Sequence, residues 1–226
     1  MGKKLDTRLM TVAQQIRSKT HADIGSDHGG LLVWLIQSGR VEFGIAIDDK
    51  QVPFENSIRA LKNLPSDVRL GDGLNALEKG EADSLSICGL GAEKISDILS
   101  DHPDRIPPRV VLQVFHKPEI LRRWAMDHGF HLQNDQTTDG ERAYTVLTFE
   151  RPVDPAQRDP AYDGVDLESA LLFGPFVLKR VDRQFDHKLK NEEAWWRNHQ
   201  QLSPKPAQRL KLLRSVMADR EIEPLP

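Results

Sequence analysis

The stretch Ala22-Asp-Ile-Gly-Ser-Asp-His-Gly-Gly30 carries the densest chemistry in this chain. An apolar strand end runs through glycines into a helix, the place where open α/β sheets bind nucleotides. Gly25 and Gly29 let the backbone approach a ligand closely, and Ser26 stands in the same turn. Asp27 occupies the position where a dinucleotide site keeps its second close-approach glycine. A carboxylate there repels a pyrophosphate at the helix N-terminus, which argues against NAD. It suits a ligand without phosphate that carries positive charge. S-adenosylmethionine, with its ammonium and sulfonium groups, is such a ligand, and Asp23 and Asp27 have the right sign for both. The alternative is that the two carboxylates only cap the turn and the helix.

Three further positions extend this candidate cofactor site. Asp48 ends the next apolar segment, 19 residues past Gly29, and an ionised carboxylate there can accept both ribose hydroxyls. Asp49 is an alternative for the same role, and a surface pair without a role is the plain reading. Asp72, in Leu70-Gly-Asp-Gly-Leu74, can accept from an adenine amino group beside Gly73. Taken alone, Gly-Asp-Gly is an ordinary turn. Ile87-Cys-Gly-Leu-Gly91 ends another strand, and Gly89 permits close backbone approach. Cys88 lies in an apolar strand, so it reads as a packing residue that borders the cofactor rather than a nucleophile. His28 is a site candidate because of its turn. His28, His116 and His128 are not at metal-ligand spacings, and no metal is expected.

Alternating strands and helices must position these turns. Strands are predicted at His21–Gly25, Gly44–Asp48, Val68–Leu70, Ser84–Cys88 and Val110–Val114. Helices are predicted at Gly30–Ser38, Val52–Leu64, Ala92–Leu99 and Pro118–His128, followed by two strands around Asp139-Gly140. That order implies right-handed crossovers, a mostly parallel seven-stranded sheet and a Rossmann-like α/β domain over residues 1–150, ending in an antiparallel hairpin. Prolines 152, 155 and 160 open a linker, and residues 151–226 form a second, helical domain. There Leu178, Val181, Phe185, Leu189 and Trp196 make one stripe, and Leu210, Leu213, Val216 and Met217 another. With a break at Ser203-Pro204, the pattern is an antiparallel helical hairpin packed like a short coiled coil.

Composition limits the function classes. With 38% hydrophobic and 29% charged residues the chain is globular rather than disordered. Its apolar runs are too short for a membrane helix, and the basic start lacks the apolar run of a secretory signal. One cysteine excludes an internal disulfide and a cysteine-rich metal site. A cytoplasmic monomer or weak dimer is expected. The net charge of −3 hides an asymmetry: residues 179–226 hold eleven Lys and Arg against seven Asp and Glu, which leaves −7 on the rest. That basic tail is either a solvated helix surface or a clamp for RNA phosphates, with Lys188, Lys190 and Arg197 as the candidate contacts.

The strings Leu5-Asp-Thr-Arg-Leu-Met-Thr-Val-Ala13, Asp23–His28, Gly71–Leu74, Lys79–Asp83, Ala161–Leu167 and Phe173–Phe176 resemble, in this order, the bacterial tRNA (adenine(22)-N1)-methyltransferases. The resemblance implies a class I methyltransferase domain lined by Asp23, Gly25, Asp27, Asp48 and Asp72. It places Arg8 and His28 toward the substrate, and a C-terminal helical domain that helps to hold tRNA. The chain departs from the pattern at Gly89-Leu-Gly-Ala92, at Gly30, and at Gln113-Val-Phe115, where the family strand ends Gln-Pro-Asn. Gln113 remains a substrate-binding candidate. The reaction so implied is methyl transfer to adenine N1, with Asp27 and His28 beside the reacting groups. The base must leave its pair, and Phe115 either stacks on it or belongs to the core. Three alternatives stay open: an altered or inactive homologue that binds tRNA, a small-molecule methyltransferase, and an NAD oxidoreductase, which Asp27 disfavours.

Overall fold

The computed structural model describes residues 5–138, 143–197 and 204–225. Asp139-Gly140, between the two last expected strands, and Ser203 of the expected break lie outside the described residues. The first elements are α1 (Thr7–Gln14), β1 (Ser18–Ile24), α2 (Gly30–Gln37), β2 (Val41–Asp48), α3 (Gln51–Leu61) and β3 (Ser66–Leu70). They are followed by β4 (Ser84–Cys88), α4 (Ala92–Asp101), β5 (Arg109–Val114), α5 (Pro118–Asp127), β6 (His131–Thr137) and β7 (Thr145–Glu150). The seven strands form one sheet in the order β3-β2-β1-β4-β5-β7-β6. The first five are mutually parallel, and β7 runs antiparallel to both of its neighbours. The order reverses between β1 and β4, and the crevice of such a sheet opens there, at the carboxyl ends of the strands.

The central strands are covered on both faces; β2 and β5 end in nearly unbroken apolar runs, whereas β1 and β4 alternate apolar with buried polar residues. Ala22, Ile24, Ile45, Ile47, Leu85, Ile87, Val110 and Leu112 are all buried. On the other face, Leu31, Leu32 and Leu35 of α2 pack with Ala46, Val111 and Val146. The helix ahead of β1 escaped the sequence reading. α1 is only eight residues long, with Asp6 accepting from the Leu9 N–H at 2.7 Å as its cap. Its inner face is Thr11, Val12 and Ala13, too small and too mixed to announce an amphipathic helix.

The chain divides into two compact units, Met1–Asp159 and Pro160–Pro226. The segment after β7 is stitched back to the sheet by polar contacts that proline spacing does not reveal. Asp159 accepts from the Leu132 N–H at 2.7 Å, and Arg151 donates its N–H to Pro108 at 2.8 Å. The Arg151 guanidinium also lies 4.2 Å from the centre of the Phe130 ring.

The second unit holds α6 (Leu167–Phe173), α7 (Pro175–Leu178), α8 (Arg183–Arg197) and α9 (Pro204–Asp219). The two short helices occupy what the sequence suggested was linker. Gly174, at φ 101°, makes the corner between them, a backbone angle that favours glycine. The single stripe expected from Leu178 to Trp196 is therefore interrupted. Leu178 sits on α7, and Val181 is exposed before α8 begins. Leu189, Leu213, Val216 and Met217 form the small core, flanked by Phe173, Leu178, Phe185 and Ile222. Ion pairs Arg209–Glu192 and Arg220–Asp186 run in opposite order along the two long helices, so α8 and α9 are antiparallel.

Candidate active site

The carboxyl ends of β1, β2, β3 and β4 surround a cleft of about 1050 Å³. The turn after β1 supplies its floor. Gly25 has φ 73° and open space where a Cβ would stand, so bare backbone faces the cleft. Asp27 also adopts a left-handed conformation, φ 53°, uncommon for a residue with a side chain and tolerated best by Asn and Asp. This places its carboxylate 3.4 Å from His28 Nε2 at the exposed mouth. His28 Nδ1 lies 3.0 Å from Asn56 Nδ2 on α3. Gly29 stands behind the turn and not on the cleft wall. A Cβ there would touch Leu61 and Ser57 at 3.4 Å, so its task is the approach of α3.

Asp48 closes β2 and is buried, yet no cation pairs with it among the described residues. Its two oxygens accept from the Asp27 N–H at 3.2 Å and the Lys50 N–H at 3.1 Å, which fixes the carboxylate at the cleft wall. Asp49, Asp72 and Gly73 line the cleft as well. At Gly73 a Cβ would come within 3.0 Å of Ile98, so glycine is needed there for packing against α4. Asp6, Asp27, Asp48, Asp49 and Asp72 outnumber Arg8, Lys50 and Lys94 around the cavity. That excess fits a cationic nucleoside and opposes a pyrophosphate.

Cys88 borders the cleft beside Gly89. Burial pushes its thiol well above the usual range, so it stays neutral. Asp23 lies one layer deeper. Burial pushes its carboxyl up to about 6, against the hydrogen bond from Ser86 at 2.5 Å. Such a perturbation next to a cleft marks a functional position more often than a surface one.

The acceptor side is built differently. Arg8, from α1, donates to Gln113 Oε1 at 2.7 Å and lies 3.6 Å from Asp6. Gln113 is fully buried at the end of β5, and its Nε2 has no hydrogen-bond partner. Phe115 is 37% exposed, which removes the core reading, but it is not among the residues that line the cleft. The loop after it turns at Lys117, φ 57°, whose ammonium pairs with Glu93. Lys188, Lys190 and Arg197 lie on α8, in the second unit. Among the described residues no group of three or more His, Cys, Asp or Glu is placed to hold a metal ion. No described helix is long and apolar enough to cross a membrane.

Residues 21–221 match the family model of the tRNA (adenine(22)-N(1))-methyltransferases. The chain belongs to this family. It is 33% identical over 197 residues to the tRNA (adenine(22)-N(1))-methyltransferase of Bacillus subtilis (strain 168), which covers 84% of this chain and 81% of that one. The crystal structure of the B. subtilis tRNA methyltransferase TrmK superposes with a TM-score of 0.82 at 30% identity, covering 95% of this chain and 99% of the other. Streptococcus pneumoniae Sp1610 in complex with S-adenosyl-L-methionine shares the fold, with a TM-score of 0.79 at 24% identity over 95% of this chain and all of that one. In this methyltransferase, α1 is the element that motif reading passed over. Without it Arg8 would not reach Gln113, and the only advance sign was the resemblance of the string Leu5–Ala13 to the family.

Proposed function

We propose that the cleft binds S-adenosylmethionine through its unpaired carboxylates and that this tRNA methyltransferase acts on N1 of adenine 22. The cofactor supplies an electrophilic methyl group on a sulfonium. Asp48 holds the ribose hydroxyls, with Asp49 beside it, and Asp72 accepts from the adenine amino group. Asp23 and Asp27 offset the ammonium and sulfonium charges, while Gly25 and Gly89 let the backbone close on the ligand. The acceptor N1 carries a lone pair and no proton, so the site needs no strong base. It needs alignment and negative charge facing the cationic product ring. Asp27 and His28 at the mouth and the Arg8–Gln113 pair flank the path of the base. Phe115, exposed at the end of β5, offers a face on which an unpaired base can stack.

The observation that carries this reading is the acid-lined crevice at the strand-order reversal, with the bare backbone of Gly25 as its floor. Lys188 and Lys190 on α8 contact tRNA phosphates, Arg197 being held by Glu193 and the Leu225 carbonyl, and a cytoplasmic location follows from that substrate. The test is mass mapping of tRNA incubated with the protein and S-adenosylmethionine. A methyl on N1 of adenine 22, lost in Asp48→Ala, is expected. Binding of tRNA without any methylated adenine would overturn the assignment.

A further inference from the structure

A row of buried polar side chains crosses the boundary between β1 and β4 beneath the cleft. His21 and Asp23 alternate along β1, and Ser84 and Ser86 alternate along β4. The register sets His21 opposite Ser84 and Asp23 opposite Ser86. Period two along each strand therefore puts all four on one face of the sheet. His21 and both serines are fully buried. Ser18 Oγ lies 2.7 Å from Ser84 Oγ, which lies 2.7 Å from His21 Nδ1. His21 Nε2 lies 2.9 Å from Ser86 Oγ, which reaches Asp23 Oδ1 at 2.5 Å.

Counting protons fixes the direction of every bond. An ionised Asp23 only accepts, so the single hydroxyl proton of Ser86 points at it. Ser86 oxygen must then accept from His21, which makes Nε2 the protonated nitrogen. Nδ1 is left bare and accepts from Ser84, and Ser84 in turn accepts from Ser18. Burial pushes His21 down to about 3, so the ring stays neutral and carries one proton at any ordinary pH. All four donors aim the same way, and bonds in such a chain strengthen one another in a medium of low dielectric.

We propose that His21 is a positioning residue for the cofactor: the one-way chain Ser18→Ser84→His21→Ser86→Asp23 fixes its tautomer and holds the Asp23 carboxylate ionised and oriented for the cofactor's ammonium group. The proposal rests on the S-adenosylmethionine reading of the cleft. A histidine that merely filled the core would need satisfied nitrogens but no chain that ends on an acid. The other charged groups around Asp23 are few. Asp48 raises its proton affinity and Arg8 lowers it, while Cys88 is a neutral thiol. From β2 only Gly44 and Ala46 stand opposite His21 and Asp23. Asp83, at the far end of the row, is occupied by the Thr20 N–H at 2.8 Å.

Two measurements test this. Nitrogen-15 NMR of the imidazole in the wild-type protein should show Nε2 protonated and Nδ1 bare at pH 8, where Asp23 is ionised. A proton on Nδ1 would overturn the chain. Calorimetric binding of S-adenosylhomocysteine, which keeps the ammonium group, should weaken as pH falls through about 6, where Asp23 takes up a proton. His21→Met removes the donor to Ser86 and should move that midpoint upward. At pH 6 the affinity should fall a further twofold to fivefold or so, the effect there of a midpoint raised by roughly half a unit to one unit, and at pH 8.5 it should stay within about twofold. His21→Gln restores an N–H toward Ser86 and should recover most of the midpoint. Ser84→Ala, a milder break, serves if His21→Met fails to fold. An unshifted midpoint, or an equal loss at every pH, overturns the positioning role alone. Absence of binding at all pH values would overturn the cofactor reading and this role with it.

Discussion

Carboxylates in the cleft and in the helical hairpin are handled in opposite ways. Around the cleft, Asp48, Asp49 and Asp72 have no cation paired with them among the described residues, and Asp48 is fixed by backbone N–H groups alone. In the hairpin, Asp182, Asp186, Glu192 and Glu193 each meet an arginine. Glu193 is buried, which raises its proton affinity, but Arg197 and Arg214 on either side outweigh this and hold it below the usual carboxylate range. A carboxylate already neutralised by its own chain holds helices together. One left with spare acceptor capacity at a cleft wall is available to a ligand. The same logic divides the basic tail. Its arginines are largely spent on internal pairs, Arg197 included, so its net charge overstates what is offered to phosphate.

The contrast breaks if substitutions in the two regions have the same consequences. Asp48→Ala should weaken S-adenosylhomocysteine binding by about 1–3 kcal/mol, the range for a charged hydrogen-bond acceptor, as read by calorimetry. An unchanged affinity would make Asp48 a turn residue only. Glu193→Ala should act on stability instead. Its arginines are partly exposed and can hydrate, so about 1–2 kcal/mol is expected in denaturant unfolding, with ligand affinity unaltered. Loss of ligand affinity in that variant would erase the distinction.

The triple change Lys188, Lys190 and Arg197 to Gln sharpens the tail's part. Its tRNA affinity should drop, and its salt slope should flatten by about one for each phosphate that the variant no longer neutralises. Restoring Arg197 alone should recover stability more than RNA affinity, because its guanidinium serves Glu193 and the Leu225 carbonyl. The smallest effect belongs to Asp27→Gly. It relieves a left-handed residue, so the melting of the ligand-free protein should change by no more than about 1 kcal/mol while methyl transfer falls. A fall in stability without loss of transfer would return Asp27 to a capping role.

Much of this molecule is written locally in its chain. Buried strands announce themselves by apolar β-formers, and the turns Gly25–Gly29, Asp48 and Gly71–Gly73 follow them at distances that a doubly wound sheet imposes. Other features depend on residues far apart in sequence. Gln113 and Arg8 are 105 positions apart and touch only because α1 folds across the end of β5. The compact unit that holds the sheet runs to Asp159, whose carboxylate reaches the Leu132 N–H, an interaction that no composition shift encodes. His21, Ser84 and Ser86 looked like routine strand residues until parallel register set them side by side.

The sequence by itself determined the sheet, the carboxylates and the family, because periodicity, glycine turns and motif order are properties of neighbouring residues. Only the tertiary structure decided which carboxylates are spent on arginines and which remain for a ligand, since pairing and burial exist only between segments that folding brings together.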